Sequence, residues 1–223
     1  MARIRALDTT HEWGSLALVE DGKVIEETLL HSPGGFGHVL FSQAGALLER
    51  NGWTLETVGC FAAAAGPGPF TGVRVGLAAA KGLGAALGKP VAGVSNLKAI
   101  ALCGEAPLRA VAIEARRGEI YGAVYSASLE IVVSETVAPL TGWLEQLPAG
   151  PMEFICLEPG ALRRAIAGGR FADTPVRQAP RALAGAVGRI AARLLARGSA
   201  PGAEAVEANY VRRPDAELYW RET

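Results

Sequence analysis

A glycine-rich loop between a buried strand and a helix of small residues most constrains how this chain can fold. The loop, called the signature loop below, reads Gly66-Pro67-Gly68-Pro69-Phe70-Thr71-Gly72. The apolar run 58–65 before it predicts a buried strand, and the Ala/Leu-rich segment 73–87 after it predicts a helix. This geometry directs backbone N–H groups and a helix N-terminus toward one point, where an anion could bind. The spacing matches neither the P-loop nor the dinucleotide-binding turn.

Composition indicates a folded, globular protein. Half of the 223 residues are hydrophobic, and 22 basic and 22 acidic residues give no formal net charge. This length is enough for one large hydrophobic core or two small ones. The neutral balance argues against independent nucleic-acid binding, which ordinarily needs a basic face. Arg74 and Lys81 interrupt the longest apolar candidate, so we predict no membrane span. The three isolated cysteines are typical of reduced thiols, so we expect a cytoplasmic location.

A similar plan occurs twice along the chain. Residues 3–30 predict three strands, with hairpin-turn chemistry at residues 20–23. Shifting the numbering by 106 aligns Ala6-Leu7-Asp8 with Ala112-Ile113-Glu114 without a gap. An acidic residue therefore ends the first strand of each copy. Both chance and a duplicated three-strand unit are compatible with so few identities, and alternating helices and strands are predicted after each copy.

Periodicity predicts two amphipathic helices. The first, over residues 38–51, has an apolar face formed by Leu40, Ala44, Leu47 and Leu48. The second, over residues 181–197, has an apolar face formed by Leu183, Val187, Ile190 and Leu194.

Five blocks, in order along the chain, together resemble one protein family. They are residues 4–10, the signature loop with the following Ala80-Lys81-Gly82-Leu83, residues 91–97, residues 115–121 and residues 209–216. The family is the bacterial TsaB (YeaZ) proteins of tRNA threonylcarbamoyladenosine biosynthesis, non-peptidase relatives of the glycoprotease family.

The resemblance implies an α/β fold of the actin-like (ASKHA, ribonuclease H-like) kind, duplicated, with two mixed sheets and flanking helices. We expect the domain boundary in the turn-rich stretch 104–107. Residues 1–104 would form an N-terminal domain that holds the signature loop and the partner-binding helices. Residues 105–223 would form a second domain, and whether its C-terminal tail packs back on the first is left open.

The resemblance also implies a function. Members of the family pair with the transferase TsaD as a heterodimer, and the ATPase TsaE completes a ternary complex. The reaction transfers a threonylcarbamoyl group to the adenosine beside the anticodon, so this chain would engage tRNA only indirectly. It would carry no catalytic residue and would self-associate as a homodimer when alone. The alternative is a stand-alone actin-fold ATPase or small-molecule kinase.

Two helices, over residues 39–48 and 73–87, are implied as the partner surface. The second contains several glycines, and each glycine inside a helix costs up to ~1 kcal/mol, which indicates close packing on more than one side. The residues that we assign to this interface are Leu40, Ala44, Leu47, Val73, Gly76, Leu77, Ala80 and Gly84.

A nucleotide or anion site is the main chemical alternative. In actin-like ATPases and kinases the turn after the first strand holds the metal–phosphate end of the nucleotide, and Asp8 and Thr9 stand there. Gly68 and Thr71 of the signature loop could complete such a site. We expect no cofactor beyond weak ATP or ADP binding at the partner interface.

Three differences from the sequences of related proteins favour a structural role for these residues. Kinase phosphate turns normally carry glycine near Thr10, and Pro69 deletes a hydroxyl and an N–H relative to the serine usual in the family. Glu114 stands where the family commonly has aspartate, and one extra methylene is enough to spoil a tight metal geometry. The loop is therefore predicted mainly to allow a cramped turn from strand to helix.

The remaining polar residues give weaker signals. The three histidines and three cysteines are isolated, so we predict no metal site and no disulfide. Arg116, Arg117, Arg212 and Arg213 are candidates for contact with tRNA phosphate or partner carboxylates, or for a solvated surface.

Overall fold

The computed structural model describes residues 2–212. Contacts between Cα atoms divide the described chain into two compact units. The first contains residues up to 99 together with 180–208, and the second contains residues 100–179 together with 209–212.

The first unit is built on a five-stranded mixed sheet. Its strands are β1 (Arg3–Asp8), β2 (Trp13–Glu20), β3 (Lys23–His31), β4 (Cys60–Gly66) and β5 (Val91–Ser95). They lie in the order β3-β2-β1-β4-β5. The β1–β2 and β2–β3 pairs are antiparallel, whereas β1–β4 and β4–β5 are parallel. The carboxyl ends of β1, β4 and β5 therefore meet at one edge, which is where the signature loop begins.

Helices in the first unit are α1 (Leu40–Arg50), α2 (Phe70–Leu87) and α6 (Ala184–Ala196), and α3 (Asn96–Ala101) begins directly after β5. Helices α1 and α2 share a core with Leu7, Leu16 and Phe61 on one face of the sheet. Helix α6 packs on β1 and β2 through the opposite face, where Gly188 lies against Val19 and Ala6.

The second unit repeats this sheet. Its strands are β6 (Leu108–Glu114), β7 (Glu119–Ser126), β8 (Ile131–Pro139), β9 (Met152–Cys156) and β10 (Val176–Gln178). Their order is β10-β9-β6-β7-β8, the same connectivity as in the first unit. Strands β2 and β7 both have 8 residues and are related by the same offset of 106 as the sequence alignment. The predicted duplicated α/β fold is confirmed.

The second core is formed around Trp143, Phe154 and Phe171. Helices α4 (Leu140–Glu145) and α5 (Pro159–Ile166) contribute Leu144, Leu162 and Ile166, and strands β6, β7 and β9 contribute further apolar side chains. The ring of Phe154 meets that of Phe171 edge-on, with centroids 5.3 Å apart, a favoured geometry for aromatic pairs.

The helix near residue 190 lies with the first unit rather than with the second half of the chain. We predicted that residues 105–223 form one domain, yet contacts group 180–208 with the first sheet. The reason is its apolar side, on which Val187, Gly188 and Ala191 are buried. A helix pattern tells which side is apolar but not which sheet it will cover.

Candidate functional site

The turn after β1 is a buried polar cluster whose groups are mostly hydrogen-bonded to one another. Asp8 and Thr10 are fully buried and Thr9 nearly so. One oxygen of Asp8, Oδ1, accepts hydrogen bonds from the Thr10 backbone N–H at 2.8 Å and from the Thr10 hydroxyl at 2.5 Å. The other, Oδ2, is buried without a hydrogen-bond partner among the described residues. Asp8 therefore mainly shapes its own turn, as aspartate commonly does.

Asn96 ties this turn to the signature loop. The side chain, at the start of α3, donates to the Thr10 hydroxyl at 2.5 Å and to the Pro67 carbonyl at 3.0 Å. Its own oxygen accepts from the Gly66 N–H at 3.3 Å. Sequence reasoning did not single out Asn96. Its place directly after β5, at the edge where three parallel strands end, was the available signal.

Glycines of the signature loop and of α2 press directly against the turn. The Thr9 hydroxyl donates to the Gly72 carbonyl at 2.7 Å. A Cβ at Gly72 would lie 2.0 Å from the Thr9 carbonyl oxygen, and one at Gly68 would lie 2.9 Å from that of Thr10. One at Gly76 would lie 2.6 Å from the Thr9 hydroxyl oxygen. The glycines are thus explained by close approach of two backbone segments.

The structure brings together three of the four residues predicted to hold a nucleotide or anion. Asp8, Thr9 and Gly68 meet, whereas Thr71 is exposed in the first turn of α2. Asp8 is bound through Oδ1 to Thr10, and the Thr9 hydroxyl is bound to the Gly72 carbonyl, so these groups are engaged within the fold. The duplicated position Glu114, at the end of β6, is exposed, unlike the buried Asp8. The two copies of the turn have therefore diverged.

A second polar cluster lies on the face of the sheet that carries α6. The hydroxyl of Ser15, which pairs with Asp8 across β1 and β2, accepts from the N–H groups of Leu183 at 3.0 Å and Ala184 at 2.9 Å. Glu27 accepts from the Gly185 N–H at 2.8 Å. These groups satisfy the free N–H donors that begin a helix.

The Glu27 carboxyl titrates unusually because of this position. Burial raises its pKa, and the nearby charge of Asp8 raises it further, against the lowering effect of the Gly185 N–H and of Ser15. A carboxyl group that loses water and faces another carboxylate holds its proton more tightly.

The eight residues assigned to the partner interface are all buried within the first unit. Six of them have side chains in its core, and the other two, Gly76 and Gly84, pack against Thr9 and Val91. The same two helices expose other residues. On α1 these include Phe41, which is 58% exposed, and Gly45. On α2 they include Arg74, Ala78, Gly82 and Ala85.

The predicted arginine contacts separate into three cases. Arg116 and Arg117 are exposed in the β6–β7 turn, with left-handed φ values of 63° and 56°. Arg212 is engaged within its own unit, because it forms an ion pair with Glu119 and lies over the Tyr121 ring at 5.8 Å. Arg213 lies outside the described residues.

Two further observations concern the described part of the chain. No helix within residues 2–212 is long and apolar enough to cross a membrane. Burial raises the pKa of the Cys60 and Cys156 thiols to about 11, so both are held as neutral thiols.

Proteins named TsaB or YeaZ are similar to this chain in sequence and in structure. The TsaB protein of tRNA threonylcarbamoyladenosine biosynthesis from Bacillus subtilis is 31% identical over 149 residues, which is 65% of this chain. Its Escherichia coli counterpart is 36% identical over 127 residues, or 55% of this chain. The structure of YeaZ from Pseudomonas aeruginosa superposes with a TM-score of 0.79 at 27% identity, covering 94% of this chain and 100% of that one.

A family model described as TsaD, tRNA N6-adenosine threonylcarbamoyltransferase, matches residues 39–168, more than half of the chain. The chain belongs to the TsaD family, in its TsaB (YeaZ) branch. It spans 65% and 54% of the length of the two curated TsaB relatives.

More distant structures share the fold of this TsaB-branch chain. Component A of (R)-2-hydroxyglutaryl-CoA dehydratase from Acidaminococcus fermentans superposes with a TM-score of 0.53 at 8% identity. The match covers 88% of this chain and 100% of that one. Together with the two sheets of identical connectivity, it confirms the actin-like fold class.

Proposed function

We propose that this chain is a non-catalytic partner subunit that supports a TsaD-type transferase in forming threonylcarbamoyladenosine next to the anticodon of tRNA. Membership of the TsaB branch supports the pathway, because the curated relatives are named for it. A role in tRNA modification also implies a cytoplasmic location. TsaE as a further partner, and weak ATP or ADP binding at the partner interface, belong to the same proposal.

The observation that best supports a non-catalytic role is the close packing of the turn after β1 (residues 8–10) against the start of α2. A phosphate group at the end of β1 would need the Asp8 carboxylate and the turn N–H groups to face open space. Instead, Asp8 is bound to Thr10, and Gly72 lies so close to Thr9 that not even a methyl group would fit. Binding there would require α2 to move away from the sheet that it helps to cover. This disfavours the stand-alone ATPase or kinase.

Exposed glycines support a docking role for α1 and α2. Gly45 and Gly82 lie inside these helices with φ values in the ordinary negative range, and a Cβ at either would meet nothing within 4 Å. Nothing within the first unit therefore requires glycine there, although glycine destabilises a helix interior by roughly 0.5–1 kcal/mol relative to alanine. A partner helix that approaches closely would require it. Phe41, one turn before Gly45, adds an exposed aromatic anchor.

The partner surface is therefore assigned to the exposed side of the helices rather than to the eight buried residues. Leu40, Leu47 and Ala80 are buried in the first core, so a partner protein could not contact their side chains. We propose Phe41, Gly45, Ala78, Gly82 and Ala85 as the contacting residues. The same surface would hold a second copy of the chain when the transferase is absent.

The test is binding to purified TsaD. Ala78→Glu introduces a charge on the proposed surface, and we expect it to weaken binding by at least about tenfold, because an unpaired buried charge is costly. Ala161→Glu, at an exposed position of α5, is the matched control and should leave the affinity unchanged. Equal affinity for the wild type and Ala78→Glu would contradict this surface, and absence of any TsaD binding would contradict the partner role.

A further inference from the structure

The chain has no net charge overall, but one segment of it is strongly basic. Residues 174–203 contain five arginines and no aspartate or glutamate. Three of these arginines, Arg189, Arg193 and Arg197, follow one another at four-residue spacing. Residues four apart lie on the same side of a helix, so the spacing makes a row of guanidinium groups along α6 and its C-cap.

This arginine row faces solvent. The apolar side of α6 covers the first sheet, while Arg189, Arg193 and Arg197 are exposed. No ion pair or hydrogen bond joins their side chains to another residue in the range 2–212. The helix dipole favours positive charge at the last turn, which accounts for Arg193 and Arg197 but not for Arg189, near the middle of the helix. The charge of Arg189 is thus one that the fold itself does not use.

A groove of about 360 Å³ runs beside the row. Its walls are the β2–β3 turn, through Asp21 and Gly22, and α6, through Arg189, Ala192, Arg193 and Ala196. Ala192 and Ala196 carry only methyl groups and therefore leave space between the guanidinium groups. The acidic groups at this turn are engaged elsewhere. Asp21 accepts from the Ala2 backbone N–H at 2.7 Å, and Glu20 is bound by Arg3 at 2.7 Å.

We propose that the arginine row and its groove bind the sugar–phosphate backbone of tRNA. Successive guanidinium groups stand about 6 Å apart along the helix, which suits a chain of evenly spaced phosphates. Arginine is also the side chain that holds phosphate through two parallel hydrogen bonds. The inference rests on the proposed function, because under that function tRNA is the polyanion that the complex binds as its substrate. It gives this subunit a direct contact with the substrate of the complex.

The experiment measures binding of a fluorescently labelled, unmodified tRNA transcript to the full chain alone, over a range of salt concentrations. We expect the logarithm of the association constant to fall linearly with the logarithm of salt. Arg189→Ala/Arg193→Ala should weaken binding by about tenfold or more at low salt and reduce the slope by about 2. Arg163→Ala/Arg164→Ala, which removes two exposed arginines of α5, is the control with the same change in net charge and should alter neither.

Several outcomes would overturn the proposal. These are unchanged binding by the α6 double variant, an equal loss in the α5 control, or no salt-sensitive binding by the wild-type chain. Arg189→Lys/Arg193→Lys covers the case in which the alanine pair fails to fold, because it should keep the salt slope while binding more weakly. Binding of TsaD by the same variants is measured separately. Loss of TsaD binding bears on the partner role, whereas loss of tRNA binding alone bears on the arginine row.

Discussion

The Thr9 hydroxyl donates a hydrogen bond of 2.7 Å to the carbonyl oxygen of Gly72, so that the first turn of the chain and the first turn of α2 are joined directly. The contact occurs at the turn that we considered from the sequence as a possible nucleotide or anion site. Because the two backbones touch, the site predicted from the sequence serves to attach a helix to a sheet. The side of α2 that faces away from the sheet is then free to meet another protein.

Gly72→Ala tests this close approach. Its Cβ would stand 2.0 Å from the Thr9 carbonyl oxygen, so we expect destabilisation of at least about 2–3 kcal/mol from overpacking against rigid backbone. Gly82→Ala, in the same helix with nothing within 4 Å, should instead stabilise the chain by about 0.5–1 kcal/mol. Urea unfolding of both variants measures the difference. A neutral or stabilising Gly72→Ala would show that the two segments are not in contact.

Arg5→Met is expected to stabilise the protein. Arg5 is 2% exposed, its Nε and Nη2 atoms have no hydrogen-bond partner among the described residues, and burial lowers its pKa to about 10. Removing such a charge should gain about 1–3 kcal/mol, which raises Tm by about 2–4 °C for each kcal/mol in a chain of this size. Arg3→Met, on the same strand, removes the ion pair with Glu20 and should not stabilise. A lower Tm for Arg5→Met would indicate that the guanidinium group stabilises the fold, for example through the Phe61 ring over which it lies at 5.9 Å.

The lowered pKa of Arg5 also gives a pH dependence. Between about pH 10 and the higher pKa of an ordinary arginine, the unfolded chain binds more protons than the folded one. Stability therefore rises with pH in that window for the wild type relative to Arg5→Met. In thermal melts, the Tm difference between Arg5→Met and the wild type should decrease as the pH is raised. A Tm difference that stays constant would contradict the lowered pKa of Arg5.

Glu27 should make stability depend on pH in the acidic range. Its pKa is raised in the folded state, so the folded chain holds the proton above the unfolded value of 4.5. The stabilising contribution is full below that value and is lost as pH rises through the folded pKa. Glu27→Gln keeps an acceptor for Gly185 without the charge, and it should be more stable than wild type near neutral pH and nearly equal near about pH 4.

Glu27→Ala provides the control for the helix cap. It removes the acceptor for the Gly185 N–H and should cost about 1 kcal/mol, within the usual range for losing a cap. Urea melts at several pH values compare all three proteins. If the stability of Glu27→Gln relative to wild type did not change with pH, the Glu27 carboxyl would have an ordinary pKa.

Local patterns predicted most of the secondary structure. The apolar face of Leu40, Ala44, Leu47 and Leu48 is buried as expected, and α1 spans Leu40–Arg50 where residues 38–51 were predicted. Strands β2 and β7 follow the predicted shift of 106. These features depend on residues close in sequence, whose spacing alone carries the signal.

Long-range contacts were beyond such patterns. Ser15 binds the N–H of Ala184 across 169 residues, and nothing near either residue signals it. Similarly, small residues along α2 predicted close packing, but not which side packs on the sheet. Ala80 was therefore assigned to the partner surface although it is fully buried, whereas Ala78 two residues earlier is exposed. The short β10 and α3 were not predicted, because three and six residues give too little periodicity.

The proposed role of Asp8 is structural, and Asp8→Asn separates this from chemistry. Asparagine keeps an oxygen that can accept from Thr10, so the turn should be retained. We expect stimulation of tRNA modification within about twofold of wild type, since no step of the reaction uses this group. A nucleotide-hydrolysing site would lose nearly all activity on the same change.

The most direct measurement is reconstitution of tRNA modification from purified TsaD, TsaE and threonylcarbamoyl donor, with and without this chain. We expect strong stimulation by the wild type, by Asp8→Asn and by Ala161→Glu, and little by Ala78→Glu. No stimulation by the wild-type chain, together with ATP turnover by the chain alone that Asp8→Asn abolishes, would contradict the partner role and establish the phosphotransferase alternative.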